Sequence, residues 1–246
     1  MILRFIAAAL LGYLLGSVPF GLVFSKLKGR GDIRNYGSGR TGGTNVLRTM
    51  GRGAFVLVAA LDVLKAVAAV LLAGLIFGKG SISFGHINLT APTAQALAGF
   101  MAVIGHIWPV FAGFRGGRGV STFVGGMFAL CPVAALFAGE VLIIAAGLTG
   151  YASLGSLIGA AALYTIMIPM VFFYGYPMEY LLYAMAGSIL IKILHRDNIK
   201  RLLAGKERKL NQKAEVKPVK PEPEPPKAEA ACGPTAAGAL GERQIG

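Results

Sequence analysis

The sequence predicts an all-α polytopic membrane protein with seven transmembrane helices, two of them short, and its polar chemistry gathered on the cytoplasmic face. Three observations predict it. Of the 246 residues, 55% are hydrophobic and 14% charged, with a mean hydropathy of +0.65, too apolar for an ordinary soluble domain. Apolar runs recur at lengths close to the roughly 17 to 25 residues that cross a ~30 Å hydrocarbon core. The 24 Lys and Arg, against 11 Asp and Glu, are concentrated in particular connections instead of being spread along the chain.

The first run is Ile2 to Phe24, and Arg4 near its start gives it the look of a secretory signal. A signal peptide or signal-anchor would export the loop that follows. That loop carries Lys26, Lys28, Arg30, Arg34, Arg40, Arg48 and Arg52 against Asp32 alone. The positive-inside rule therefore keeps it cytoplasmic and puts the N-terminus outside, outvoting Arg4. Basic charge explained by topology requires no nucleic-acid partner.

Spans follow at Phe55 to Phe77 and Ala94 to Phe111, joined by an external linker around "GKGSISFGHINLTAPT". Val120 to Leu148 is long for one span and short for two, and Cys131-Pro132 interrupts it. A single crossing would leave the basic "HRDNIKRLLAGKERK" outside, whereas a turn at Pro132 and a return keep it inside. Two short helices are therefore expected, suited to a thinned bilayer or to helix ends that face a buried polar pocket. Leu154 to Phe173 and Tyr180 to Leu194, linked by "YGYPME", complete the seven spans.

After about Gly205 the chain turns rich in Pro, Ala, Lys and Glu. Residues 1–205 thus form the transmembrane domain, and 206–246 read as a disordered cytoplasmic tail whose lysines suit anionic lipid headgroups. Deletion after Arg208 is expected to leave activity unchanged.

This topology brings four unusual stretches to one face: Ser25 to Gly53, "FRGGRGVST" (Phe114 to Thr122), "GYASLGS" (Gly150 to Ser156) and "HRDNIKR" (His195 to Arg201). Such groups suit an anion. Glycines let backbone N–H groups approach one centre, hydroxyl and amide side chains complete the shell, and arginine grips phosphate or carboxylate bidentately. "GGTNVLR" and "GGRGVSTFVGG" each run from glycine into a predicted helix, whose N-terminus favours phosphate. Two such sites suggest two phosphates.

Several patterns lead elsewhere and are set aside. Gly37, Gly39 and Gly42 match G-x-G-x-x-G, yet no strand precedes them, so a dinucleotide fold is excluded; no P-loop occurs. His86, His106 and His195 lack ligand spacing, so no metal or other cofactor is expected. Cys131 and Cys232, one in a span and one in the tail, are not a disulfide pair. Asp62 and Lys65 stand one helical turn apart and are expected to pair inside the bundle, the alternative being an ion or substrate path. Glu140 has the choice of Lys192 across helices or the lumen, and receives no role. A transporter of a phosphorylated solute is the rival function, weakened by the absence of a visible inverted repeat; a non-catalytic lipid-binding scaffold is the second.

"GSVPFGLVFSKLKGRGDIRNYGSGRTGGTNVLRTMG", "GHIWPVFAGFRGGRGVST" and "HRDNIKRLLAGKE", in order and at the right spacing from about Leu10 to Lys206, resemble the bacterial acyl-phosphate-dependent glycerol-3-phosphate acyltransferase family. The resemblance implies a seven-span inner-membrane enzyme with a cytoplasmic active site. It implies acyl transfer from acyl phosphate to the 1-hydroxyl of glycerol 3-phosphate, giving lysophosphatidic acid and phosphate, with a separate enzyme as a possible supplier of acyl phosphate. Residue by residue, Ser38, Gly42, Gly43, Thr44, Asn45 and Arg48 match the glycine-rich loop, Gly116, Gly117 and Arg118 the second motif, Ser153 the serine of the third cytoplasmic stretch, and His195 with Asn198 the last motif. Arg40 and Gly43 replace the family's usual asparagine and alanine, Arg118 its lysine, and Gly150 a common arginine, for which Arg40 is a candidate compensation.

An acyl phosphate is already activated, so positioning two anions and stabilising the oxyanion supplies much of the rate without a covalent nucleophile. The H-x-x-x-x-D signature of other glycerolipid acyltransferases is absent after each histidine. The expected roles are Ser38 and Asn198 on the reacting acyl phosphate, and Arg48, Arg118, Ser153 and His195 on glycerol 3-phosphate. A substrate phosphate oxygen takes the hydroxyl proton, with His195 as the alternative base.

Overall fold

The computed structural model describes residues 1–84 and 87–214. The apolar runs become long helices because inside a hydrocarbon layer every backbone group must be satisfied within its own segment. α1 (Ile2–Gly16) bends at Pro19 into α2 (Phe20–Leu27), and the pair serves as one span. α3 (Gly43–Met50) is a short polar helix outside the spans, and α4 (Arg52–Phe77) crosses back. α5 (Ala91–Ile107), α6 (Val120–Leu130), α7 (Pro132–Thr149), α8 (Ala152–Tyr174), α9 (Met178–Leu194) and α10 (Arg196–Leu203) follow.

Five segments among the described residues are long and apolar enough to cross a membrane, and α9 with α10, bent by 60°, makes a sixth. α6 and α7 are separate helices with Cys131-Pro132 at their junction, as the proline predicts. Only α6 is short. Its 11 residues rise about 16 Å, half a hydrocarbon core, so a count of seven spans rests on α6. The linker between α4 and α5 holds an element that hydropathy alone leaves out: β1 (Ile82–Phe84) and β2 (Ile87–Leu89) pair antiparallel, with Ile82 opposite Leu89. Ile82 is buried with Phe77 and Ala94, which fastens this connection to the ends of α4 and α5.

α1, α4 and α5 form one packed group, α4 leads to α6, and α7, α8 and α9 form the other flank. Without a hydrophobic force between helices in lipid, close approach depends on small residues. Gly12 and Gly16 of α1 lie directly on the backbone of Ala98 and Ala102 in α5, where a Cβ would collide. Gly155 and Gly159 of α8 do the same against α7. The central core joins Phe123, Met127, Leu163, Met167, Tyr183 and Ile191, and the buried Tyr183 hydroxyl donates to the Phe123 carbonyl at 2.8 Å. Leu71, Leu75, Ile143, Leu148, Phe172 and Phe173 point outward, as lipid-facing residues do. Glu140 is exposed on α7, and among the described residues it forms no ion pair with Lys192.

The packed chain runs past the boundary that composition suggests. Residues 206–214 lie along the site: the Leu210 amide donates to the Gly150 carbonyl at 2.8 Å and the Ala214 amide to that of Arg48 at 3.1 Å. The rest of the expected tail, with Cys232, and His86 lie outside the described residues.

Candidate active site

The loop Tyr36 to Arg48 is shaped from within by Asn45, 2% exposed at the third position of α3. Its amide nitrogen donates to the carbonyls of Ile33, Tyr36 and Arg40 at 3.1, 3.1 and 2.9 Å, and its oxygen accepts from the Ser38 amide at 3.0 Å. The Asn45 side chain is therefore engaged by the loop itself. Glycines at 37 and 39 supply the left-handed turns, with φ of 51° and 70°.

Gly42 of this loop packs on Gly117 of the stretch before α6, so the two glycine-rich sequences, far apart in the chain, meet. α3 begins at Gly43 and α6 at Val120, each after a glycine and with no side-chain cap on its first N–H groups. Both uncapped ends line one cavity of about 490 Å³. This is the pair of phosphate-favouring helix starts expected from sequence. Ser38, Gly42, Gly43, Thr44, Asn45, Arg48, Arg118, Ser153, His195 and Asn198 all line it, so the structure brings together ten of the twelve predicted residues. Gly116 and Gly117 stand behind Arg118 instead. Their amides donate to the carbonyls of Ile107 and His106, both at 3.1 Å, which ties that loop to the end of α5.

The electrostatics are unbalanced towards cation. Nε of Arg48 and Nε of Arg118 are buried without a protein partner. Burial, then the neighbouring Arg40, lowers the Arg118 pKa to about 10, which leaves it charged at neutral pH. Arg40, the departure from the family pattern, also lines the cavity, and its Nη1 reaches the Gly117 carbonyl at 3.5 Å. Gly150 occupies a left-handed turn at the end of α7 (φ 75°), a conformation that suits glycine better than arginine.

Two carboxylates line the cavity with these cations, Asp62 of α4 and Glu207. Glu207 accepts from Ser153 Oγ at 2.9 Å, Asn198 Nδ2 at 2.6 Å and Arg201 Nε at 2.7 Å. Burial alone would raise its pKa, yet the bonds from Asn198, Arg201 and Ser153 outweigh that and hold it below the ordinary carboxylate value. Sequence reasoning gives Glu207 no role, although it ends the last recognised motif as a lone acid between lysine and arginine. Because Glu207 takes the Asn198 nitrogen, Asn198 Oδ1 remains a buried acceptor with no protein donor.

His195 is 2% exposed, and its Nδ1 lies 2.8 Å from the Ile191 carbonyl. A carbonyl can only accept, so Nδ1 carries the proton and Nε2 is an acceptor. Burial, then Arg118, lowers the His195 pKa to about 4. The other wall is apolar: Leu47 and Phe55, Val63 of α4, Val124 of α6, and Leu142 and Ile143 of α7. The cavity thus joins a cationic end to a greasy trough.

Fold and site define a multi-pass helical membrane protein with a cavity that is cationic at one end and apolar at the other. The chain belongs to the glycerol-3-phosphate acyltransferase family, whose description matches residues 6–205. It is 61% identical over 214 residues to glycerol-3-phosphate acyltransferase 3 of Dehalococcoides mccartyi, covering 87% of this chain and 99% of that protein. It is 43% identical over 213 residues to a glycerol-3-phosphate acyltransferase of Shouchella clausii, covering 87% and 99%. The crystal structure of PlsY (YgiH), an integral membrane glycerol 3-phosphate acyltransferase, in its glycerol 3-phosphate form superposes with a TM-score of 0.72 at 38% identity, covering 83% of this chain and 94% of that one. The lysophosphatidic acid form of PlsY gives 0.70 at 36% identity, with the same coverage.

Proposed function

We propose that this protein transfers a fatty acyl group from acyl phosphate to the 1-hydroxyl of glycerol 3-phosphate, giving lysophosphatidic acid and inorganic phosphate, at the inner face of a bacterial plasma membrane. The observation that carries the reading is one cavity with two unpaired, buried arginine Nε groups at one end and an apolar trough at the other. A phosphorylated small alcohol suits the first and a lipid tail the second. That PlsY is described in glycerol 3-phosphate and lysophosphatidic acid forms supports the same pair of ligands here.

In this reading Arg48 and Arg118 hold phosphate oxygens, joined by the N–H groups that open α3 and α6. Ser38 hydrogen-bonds the reacting acyl phosphate. Asn45 positions the loop. Asn198 belongs with the acceptor alcohol, because its free Oδ1 can accept a hydroxyl proton's hydrogen bond but not meet a phosphate oxygen. His195 Nε2 takes a second hydroxyl, and Ser153 is held beside them by Glu207. The hydroxyl oxygen attacks the acyl carbon, the carbon–oxygen bond to phosphate breaks, and the hydroxyl proton passes to a phosphate oxygen. A histidine with a pKa of about 4 is a weak base, so His195 orients and does not abstract. Acyl phosphate comes from a separate activating enzyme.

The test uses detergent-purified protein with glycerol 3-phosphate and synthetic long-chain acyl phosphate, and in parallel acyl-CoA. Lysophosphatidic acid and phosphate in equal amounts from acyl phosphate alone is the expected result. Product from acyl-CoA only would overturn the donor. No product, with phosphorylated solute taken up by sealed proteoliposomes, would overturn the reaction.

A further inference from the structure

Asp62 and Lys65 of α4 and His106 of α5 form a buried polar cluster, 2%, 6% and 7% exposed. Lys65 Nζ lies 2.8 Å from Asp62 Oδ1, as their spacing predicts, and 3.0 Å from His106 Nδ1. His106 Nδ1 stands 3.3 Å from Asp62 Oδ1. Lys65 also donates to the Val18 carbonyl at 2.9 Å and sits 5.6 Å from the Phe20 ring centre. The cluster therefore ties α4 and α5 to the bend between α1 and α2. Such groups are costly at membrane depth, and apolar residues of similar volume would usually serve packing as well or better. Packing alone is a poor reason for them.

The opposite edge of the His106 ring supplies another. Its Nε2 abuts Gly117, so closely that a Cβ there would collide with it. The His106 carbonyl accepts from the Gly117 amide, and the Gly119 turn (φ 81°) rests on Val103 and Ile107. Arg118 stands between these two glycines. Its backbone is thus seated on the end of α5, with His106 in turn fixed by Asp62 and Lys65. Asp62 and His106 line the same cavity as Arg118.

We infer that Asp62, Lys65 and His106 are positioning residues that set the height and direction of Arg118 towards the substrate phosphate. The inference rests on the proposed function, in which Arg118 holds that phosphate. Displacing a binding group by about 1 Å costs on the order of 10²-fold in rate, so a rigid seat under a flexible arginine has a clear purpose.

A double-mutant cycle tests it in the purified full-length protein, with synthetic acyl phosphate and varied glycerol 3-phosphate. His106→Ala is expected to raise KM for glycerol 3-phosphate by about tenfold or more. In an Arg118→Ala background the same change should add less than about twofold, because residues acting through one group do not add. Multiplying effects, or losses of activity that simply follow a fall in thermal midpoint, would overturn the inference. Should His106→Ala fail to fold, Asp62→Leu/Lys65→Met replaces the ion pair by apolar groups of similar size. That variant should keep its thermal midpoint within a few degrees yet show the same rise in KM; an unchanged KM would sink the idea. Wild-type protein that makes no lysophosphatidic acid would instead overturn the proposed function, so the two failures are distinguishable.

Discussion

Glu207 shows how one side chain organises a site rich in cations. It joins Ser153 of α8 to Asn198 and Arg201 of α10, and so fixes which way the Asn198 amide faces. Glu207→Gln removes the charge and places an amide nitrogen where Arg201 or Asn198 needs an acceptor. The expected cost is about 2 kcal/mol, read as a lowered thermal midpoint, together with a higher KM for glycerol 3-phosphate. Unchanged values of both would make the three bonds incidental. His195 gives a prediction in pH. Its pKa near 4 lies below the ordinary histidine value of about 6.5, so the folded site holds it neutral while the unfolded chain protonates first on acidification. Its contribution to stability is therefore complete above about pH 6.5 and is lost as pH falls towards 4. The rate should stay flat from about pH 6 to 8 with respect to this group. An acid limb centred near 6.5 that disappears in His195→Asn would show an ordinary, solvated imidazole and restore the base role.

Among the elements, the segment 206–214 departs furthest from expectation. Composition marks it as the start of a solvated tail, yet Arg48 donates to the Arg208 and Lys209 carbonyls at 2.9 and 3.2 Å, while the Arg48 and Gly150 carbonyls accept from Ala214 and Leu210. Deletion after Arg208 should therefore weaken glycerol 3-phosphate binding severalfold, whereas deletion after Ala214 should keep wild-type KM. Equal activity of the two truncations would show that these main-chain bonds do not hold Arg48. The long spans were legible because hydropathy over about 20 residues is a strong signal, and the α6–α7 break because proline at 132 cannot continue α6. The start of α3 was legible as well, from the glycines that lead into "GGTNVLR", although its eight residues are too few to show apolar periodicity. The β1–β2 hairpin was not, because it lies in a polar connection. The cavity residues were legible as a set from the clustering of Gly, Ser, Asn and Arg. Their division into substrate-facing and loop-building members was not, since Asn45 and Gly117 reveal their work only through the hydrogen bonds of the folded loops.

At the scale of the whole molecule, charge and chemistry share one end. The basic stretches from Lys26 to Arg52, Arg115 to Arg118 and Arg196 to Lys209 include the elements that build the cavity, whereas the connections at the opposite end, where Met1 packs on Gly80, hold Arg4 and Lys79. Such an asymmetry fixes orientation during insertion, because basic loops resist export. It also serves the proposed reaction, since glycerol 3-phosphate is an anion that approaches from the aqueous phase and is drawn to a cationic face. The two purposes predict the same topology, with the site facing the cytoplasm, the N-terminus outside and the C-terminus inside. Single-cysteine variants Lys28→Cys, Lys200→Cys and Lys79→Cys, made in a Cys232→Ala background that leaves only the buried Cys131, can be labelled with a membrane-impermeant thiol reagent on intact spheroplasts. Lys79→Cys should react at once, and the other two only after the membrane is opened. The reverse pattern would place the cavity outside, away from cytoplasmic glycerol 3-phosphate, and would turn the arginines into a site for capturing an external anion.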